Sequence, residues 1–255
     1  MSDKKQVKLI EKTQYYFTFI LIYLFFAAIF FTISSFYRFN QTFAYTTYLA
    51  ALLLTGFACF NPLSFVLLGH AAHKMQDDQR SKLLEVIEKT PNLKESAISM
   101  LVVNDSQPNV FLISQPSRNH IVCTSAALEK FNIIDFEAIF AYFAAKKESK
   151  PEFIDTIYLL IATLIEKAII VKPLANVFAS MTVTYGERYI FDKKAAETTR
   201  NLIGYKNMLI KAKDGYIESR LGKSFSIVGV FDTGNNNALE VVEEIDKRIN
   251  SVTKA

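Results

Sequence analysis

The sequence predicts an α+β membrane protein in which two N-terminal transmembrane helices precede a mostly helical domain with a small β-sheet. Two adjacent uncharged apolar runs open the chain, short β-patterned runs cluster between residues 98 and 124, and helical patterns fill most of the rest. With 255 residues, 22 of them Phe and none Trp, the chain is long enough for one sizeable domain and an anchor.

The first apolar run covers residues 13–37 and carries no charge between Lys12 and Arg38. A helix needs about 20 apolar residues to cross the hydrocarbon core, so this run is long enough to span a bilayer. It is too long for the apolar part of a signal peptide, and no small-x-small cleavage site follows it. We therefore predict a transmembrane helix at 13–37, after an N-terminal segment at 1–12.

The second uncharged run covers residues 39–69 and contains Asn61 and Pro62. This pair is expected to kink the helix or to end its regular part early, because proline breaks the helical hydrogen-bond ladder. We predict a second transmembrane helix at 44–69, joined to the first by a short external loop at 38–43.

The basic residues predict the orientation. The N-terminal segment holds Lys4, Lys5, Lys8 and Lys12, the connection between the spans holds only Arg38, and more basic residues follow the second span. The positive-inside rule therefore places both termini in the cytoplasm. We predict a multi-pass protein of the bacterial inner (cytoplasmic) membrane, with residues 70–255 forming one cytoplasmic domain.

The charge distribution excludes one class of partner. The net charge is only +4, and basic and acidic residues alternate along the chain, so no clustered basic face indicates nucleic-acid binding. The basic N-terminus is better explained by topology and by contact with the lipid bilayer. Cys59 lies in a predicted span and Cys123 in the cytoplasmic domain, so the two are not expected to pair.

The cytoplasmic part alternates between helical and strand patterns. The predicted strands are 98–103, 109–114 and 120–124; the predicted helices are 76–89 (continuing from the membrane), 134–150, 153–171 (buried or at the membrane surface), 174–201 and 238–252. The intervening stretch at 215–237 has four glycines and no clear pattern.

Two tetrads carry a family resemblance. The tetrads are Pro108-Asn109-Val110-Phe111 and Thr124-Ser125-Ala126-Ala127, followed by a helix-forming segment up to Lys147. With the two preceding spans, this order resembles the HtpX-like membrane zinc metallopeptidases, which include relatives of the CaaX-processing peptidase. The resemblance implies a metallopeptidase-like cytoplasmic domain whose active-site helix begins near residue 135.

In that family the helix carries His-Glu-x-x-His, in which two His bind zinc and the Glu is the general base. The matching positions here are Tyr142, Phe143 and Lys146, and the position of the third ligand, four residues before Asp192, is Arg188. A register shift to the neighbouring Glu187 would restore one ligand but not the site. The resemblance therefore implies a pseudopeptidase with no catalytic residues, no metal and no cofactor.

Such a scaffold keeps a groove beside an edge strand. The resemblance implies that an extended substrate pairs with this strand in active relatives, and strand addition needs no metal. The predicted partner-binding residues are Asn109, Val110, Phe111, Leu112, Ile113 and Ser114.

The leading hypothesis is a scaffold or chaperone-like factor that binds, stabilises or helps assemble another membrane protein or membrane complex. Two alternatives stay open: an active membrane metallopeptidase with displaced ligands, and a purely structural subunit whose spans do the binding. His70 and His73 are three residues apart, but a metal site needs a third ligand nearby.

Overall fold

The structure is a computed structural model. It describes residues 61–90, 93, 98–115, 118–149, 152–167, 185–217, 219, 221, 223–231 and 238–253, together with isolated earlier positions: Thr13, Tyr16, Phe17, Ile20, Tyr23, Leu24, Ala27, Phe31, Thr42, Tyr45, Thr46, Leu49, Leu52, Leu53 and Gly56. The chain divides into two compact units, Met1–Leu68 and Gly69–Ala255.

In the first unit, each of the isolated positions is helical. A short helix, α1, covers Pro62–Val66 and has proline at its first position, where the missing N–H costs nothing. Asn61 and Pro62 therefore mark the beginning of a helix. Within the described part of the chain, no helix combines the length and apolar character needed to cross a membrane. Most of the predicted spans, 13–37 and 44–69, lies outside the described residues, and so does the segment 1–12.

The second unit contains a four-stranded sheet. Its strands are β1 (Ala72–Lys74), β2 (Ile98–Val103), β3 (Val110–Ser114) and β4 (Asn119–Thr124). Their order is β1–β2–β4–β3, with β2 and β4 parallel and the other pairs antiparallel. The prediction of an α+β fold with a small sheet is confirmed for this unit.

Strand β1 was not predicted. It pairs with β2 so that His73 lies opposite Val102, and all three of its residues are exposed. The helix predicted at 76–89 therefore does not continue directly from the second span, because β1 precedes it.

The helices of this unit are α2 (Asp77–Lys89), α3 (Ser125–Lys130), α4 (Ile133–Ser149), α5 (Glu152–Lys167), α6 (Tyr185–Thr199), α7 (Leu202–Asp214) and α8 (Ala238–Thr253), with a 3₁₀ helix at Lys223–Ile227. The sequence predicts a helix at 174–201. Residues 185–199 of this range are helical, and residues 174–184 lie outside the described residues. Arg200 has a positive φ of 52°, and the Asn201 side chain then accepts a hydrogen bond from Gly204 N–H. That left-handed residue and new N-cap start α7 as a separate helix.

Helix α4 lies at the centre of the core and packs against α2, α6 and α7. Its residues from Ala138 to Ala145 are all buried, so it has no solvent-exposed face over two turns. A helix that is apolar all round is expected to be buried in this way. Phe140, Phe143 and Ala144, which fall at helical spacing, all pack inward.

Candidate functional site

Tyr142 and Phe143 lie in the middle of α4 and are closed off from solvent. The Tyr142 ring makes edge contacts with Phe143 and with Phe191 of α6, at centroid distances of 5.9 and 5.8 Å. Burial raises the pKa of the Tyr142 phenol above its ordinary value. The phenol is therefore neutral at physiological pH, and the two residues act as aromatic core.

Lys146 lies one turn further along α4. Its ammonium group is 2.7 Å from Asp155 Oδ2 of α5 and donates a hydrogen bond of 2.8 Å to the carbonyl of Ile227. A cation thus stands where the family resemblance would require a second histidine ligand.

Arg188 projects from the first turn of α6 and is buried. Its guanidinium donates to the carbonyl of Ser226 at 3.0 Å, and one of its nitrogens is 3.6 Å from Glu244 Oε1 of α8. Lys146 and Arg188, which come from different helices, therefore contact consecutive carbonyls of one short segment.

Arg248 of α8, which the sequence did not single out, is a third cation in this region. It is fully buried, binds both carboxylate oxygens of Asp192 at 2.7 and 2.8 Å, and donates to the carbonyl of Val230 at 2.7 Å. Its guanidinium also lies 5.5 Å from the centroid of the Tyr142 ring and 5.3 Å from that of Phe231.

The carboxylate of Asp192 is bound on two sides. Tyr205 donates to Asp192 Oδ1 at 2.7 Å, and burial, aided by the Asp192 charge, raises the pKa of that phenol well above its ordinary value. Burial alone would lower the pKa of Arg248, but Asp192 outweighs that effect and the pKa is raised. Arg248 therefore stays charged, and the Tyr205 phenol stays protonated and able to donate.

All three cations contact residues 225–231, which we call the closing segment. It runs antiparallel to β3: Leu112 N–H donates to Val228 O and Val230 N–H donates to Val110 O, both at 3.2 Å. Phe111 lies opposite Gly229 between these two bonds.

Asn109 extends this pairing beyond the strand. Its side-chain amide donates to the carbonyl of Phe231 at 2.8 Å, and its Oδ1 accepts from Phe231 N–H at 3.2 Å. At the other end of β3, Ser114 N–H donates to the hydroxyl of Thr156 on α5 at 3.0 Å.

β3 is thus an edge strand of the sheet, but its outer edge is already hydrogen-bonded within the chain. Of the six predicted partner-binding residues, only Leu112 is half-buried, and the other five are buried: Asn109, Val110, Phe111, Ile113 and Ser114. An incoming strand could reach them only after the closing segment has moved.

At the positions where the family resemblance implies a zinc site, the described residues do not fit a zinc ion. A catalytic zinc needs three protein ligands from His, Cys, Asp or Glu, and the described residues contain no group of three such side chains that could hold a metal. His70 packs edge-on against Phe225 at 5.6 Å, whereas His73 lies on exposed β1. Burial raises the pKa of Cys123 to about 12, so its thiol is not ionised at neutral pH.

Comparison with known proteins gave a weak structural likeness and no sequence match. No protein-family model matches the chain, and no curated protein matches it. Among solved structures, the crystal structure of S. mikatae Ste24p aligns with a TM-score of 0.43 and 11% sequence identity, over 99% of this chain and 66% of that chain. The chain therefore spans slightly less than two thirds of the length of that structure.

Proposed function

We propose that the chain is a catalytically inactive, metallopeptidase-like membrane protein that binds, stabilises or helps assemble another membrane protein or complex. One observation carries the proposal. Each position at which the family resemblance requires a zinc ligand or the general base holds a side chain already engaged with the rest of the fold: Tyr142, Phe143, Lys146 and Arg188.

The chemistry of these four side chains argues against hydrolysis. Phe143 has no atom that could accept a proton from water, and the burial of Tyr142 keeps its phenol protonated. Lys146 and Arg188 bring positive charge to the place that a metal cation would need. Asp155 forms an ion pair with Lys146, and Glu244 forms one with Arg188.

Binding, by contrast, needs only groups that the site retains. The outer edge of β3 offers the Leu112 N–H and the Val110 carbonyl, and strand addition uses such main-chain groups. Residues 109–114 therefore remain the proposed partner-binding surface, in a state from which the closing segment has been displaced.

The proposal can be tested in cells that lack the chain. Restoring the full chain should restore the abundance of one particular membrane protein, which should also co-purify with the full chain in mild detergent. A truncated chain of residues 1–77, which keeps both predicted spans, should do neither.

Two other results would contradict the proposal. If residues 1–77 restore and retain the same protein, the chain is a structural subunit that works through its spans. If the full chain instead produces a shortened form of that protein, the chain is a peptidase with displaced ligands.

A further inference from the structure

We propose that the closing segment is a built-in peptide ligand: it occupies a groove, formed by β3 and the three cations Lys146, Arg188 and Arg248, that accepts an extended polypeptide. A segment of a partner would enter by displacing it. This inference rests on the proposed function in one respect, since the incoming segment is taken to belong to the partner protein.

The backbone contacts define the first part of the groove. Two main-chain bonds join the closing segment to β3, and the Asn109 side chain adds two more at Phe231. Asn109 thus extends the edge of β3 by mimicking a strand residue. Main-chain pairing of this kind is available to any extended polypeptide, which is why it gives affinity without specifying sequence.

The cations define the second part. Arg188, Lys146 and Arg248 donate to the carbonyls of residues 226, 227 and 230, and they come from three separate helices. Hydrogen bonds from charged donors are roughly twice as strong as those between neutral groups. All three acceptors are main-chain carbonyls, so an external peptide in the same register could replace them.

Each cation also has its own carboxylate: Asp155 for Lys146, Glu244 for Arg188 and Asp192 for Arg248. These ion pairs do not include the closing segment. They would keep the cations in place when the segment leaves, so the groove would not collapse into a cluster of unpaired charges.

The side chains of the closing segment indicate which sequence the groove selects. A Cβ at residue 229 would lie 2.9 Å from Phe111 Cε1 and 3.0 Å from the carbonyl oxygen of Phe231, so only glycine fits there without movement. Phe225 packs edge-on against Phe111 at 5.3 Å, and Phe231 lies beneath Arg248. The predicted ligand is an extended peptide with the pattern aromatic-x-x-x-Gly-x-aromatic.

The main-chain pairing of the closing segment with β3 is limited in extent. It forms a single isolated bridge with β3 instead of a continuous ladder, and its first residues belong to a 3₁₀ helix, whose hydrogen-bond geometry is poorer than that of an α-helix.

The test measures binding of a dye-labelled peptide, KSFSIVGVF (the sequence of residues 223–231), to the full chain in mild detergent by fluorescence anisotropy. Gly229→Ala is the opening variant, because the added methyl group pushes the closing segment away from Phe111. Gly215→Ala is the matched control, since its Cβ would be crowded to a similar degree, 2.8 Å from Lys130 Nζ, away from the groove.

We expect Gly229→Ala to bind the peptide about tenfold more tightly than the natural chain does, because apparent affinity scales with the fraction of molecules in the open state. Gly215→Ala should bind like the natural chain. Equal peptide affinity for all three proteins, with the opening variant still folded by its thermal unfolding, would overturn the proposal.

A locked variant gives the opposite change. Leu112→Cys with Val228→Cys places two thiols at opposed positions on β3 and the closing segment. Oxidation should abolish peptide binding, and reduction should restore it; equal binding in both states would overturn the proposal. The assay contains no partner protein. A chain that exchanges the peptide normally yet neither retains nor stabilises a membrane protein would refute the proposed function alone.

Discussion

At the scale of single residues, Arg248 is a fully buried charge paired with the Asp192 carboxylate. The buried face of α8 includes Val241, Ile245, Arg248 and Val252. Arg248 therefore stands at a position where helical periodicity predicts an apolar residue. A charged residue within this apolar pattern can be recognised from the sequence. Its partner Asp192 cannot, because it lies far away in the chain. Sequence reasoning reached Asp192 only as a marker of the Arg188 position.

Arg248→Met should lower the free energy of unfolding by about 3–5 kcal/mol, because it leaves the Asp192 carboxylate buried without its cation. Lys247→Met is the matched control: its ion pair with Glu243 is exposed, and we expect a change within about 0.5 kcal/mol. Chemical unfolding of the full chain in detergent measures both. Equal losses in the two variants would show that the buried pair contributes nothing specific.

We expect buried His120 to make the stability of the folded protein sensitive to acid. It is buried on β4 with neither ring nitrogen hydrogen-bonded, and burial, with a smaller effect from Arg118, lowers its pKa to about 4. The folded state therefore binds fewer protons than the unfolded state between pH 4 and the ordinary value of 6.5. The stability from this group is complete above about pH 6.5 and is lost as the pH falls towards 4.

We expect that loss to be about 2 kcal/mol, measured as the difference between the pH–stability curves of the natural chain and of His120→Leu. The exposed His73→Leu is the control, and it should keep the natural pH dependence. If the free energies of unfolding of His120→Leu and the natural chain differ by the same amount at pH 7 and at pH 4.5, His120 does not cause the acid sensitivity.

At the scale of elements, α4 was predicted better than its neighbours. Its long apolar pattern, together with its place after the two tetrads, predicted that Tyr142, Phe143 and Lys146 lie on one helix, as they do. Strand β1 was missed because three exposed residues carry no alternating pattern, and α7 because Gly204 in its first turn weakens the helical signal. The closing segment was missed because its pairing with β3 is set by tertiary contacts.

The central position of α4 gives a stability prediction. Phe143→Ala should cost about 3–5 kcal/mol of unfolding free energy, as for large-to-small changes at fully buried aromatic positions. Ile134→Ala, at a half-exposed position on the same helix, should cost much less. Comparable losses at both positions, by chemical unfolding, would show that α4 is not the centre of the core.

At the scale of the whole molecule, the topology prediction lies mostly outside the described residues. The distribution of Lys and Arg predicts that both termini are cytoplasmic and that residues 38–43 are external. Reporter fusions that are active only outside the cytoplasm should be active at residue 40 and inactive at residue 255. Activity at residue 255 would contradict the predicted cytoplasmic location of the C-terminus.

We propose that aromatic core and cations bound to the chain's own backbone fill the position at which the family resemblance would require a zinc site. Elemental analysis of the purified full chain, after exposure to zinc and dialysis, tests this most directly. The triple variant Tyr142→His, Phe143→Glu and Lys146→His is the companion sample. Its new polar groups would be buried without partners, so it should be less stable and still hold no zinc. For the natural chain we predict zinc far below one equivalent; one equivalent of zinc that survives dialysis would contradict the account.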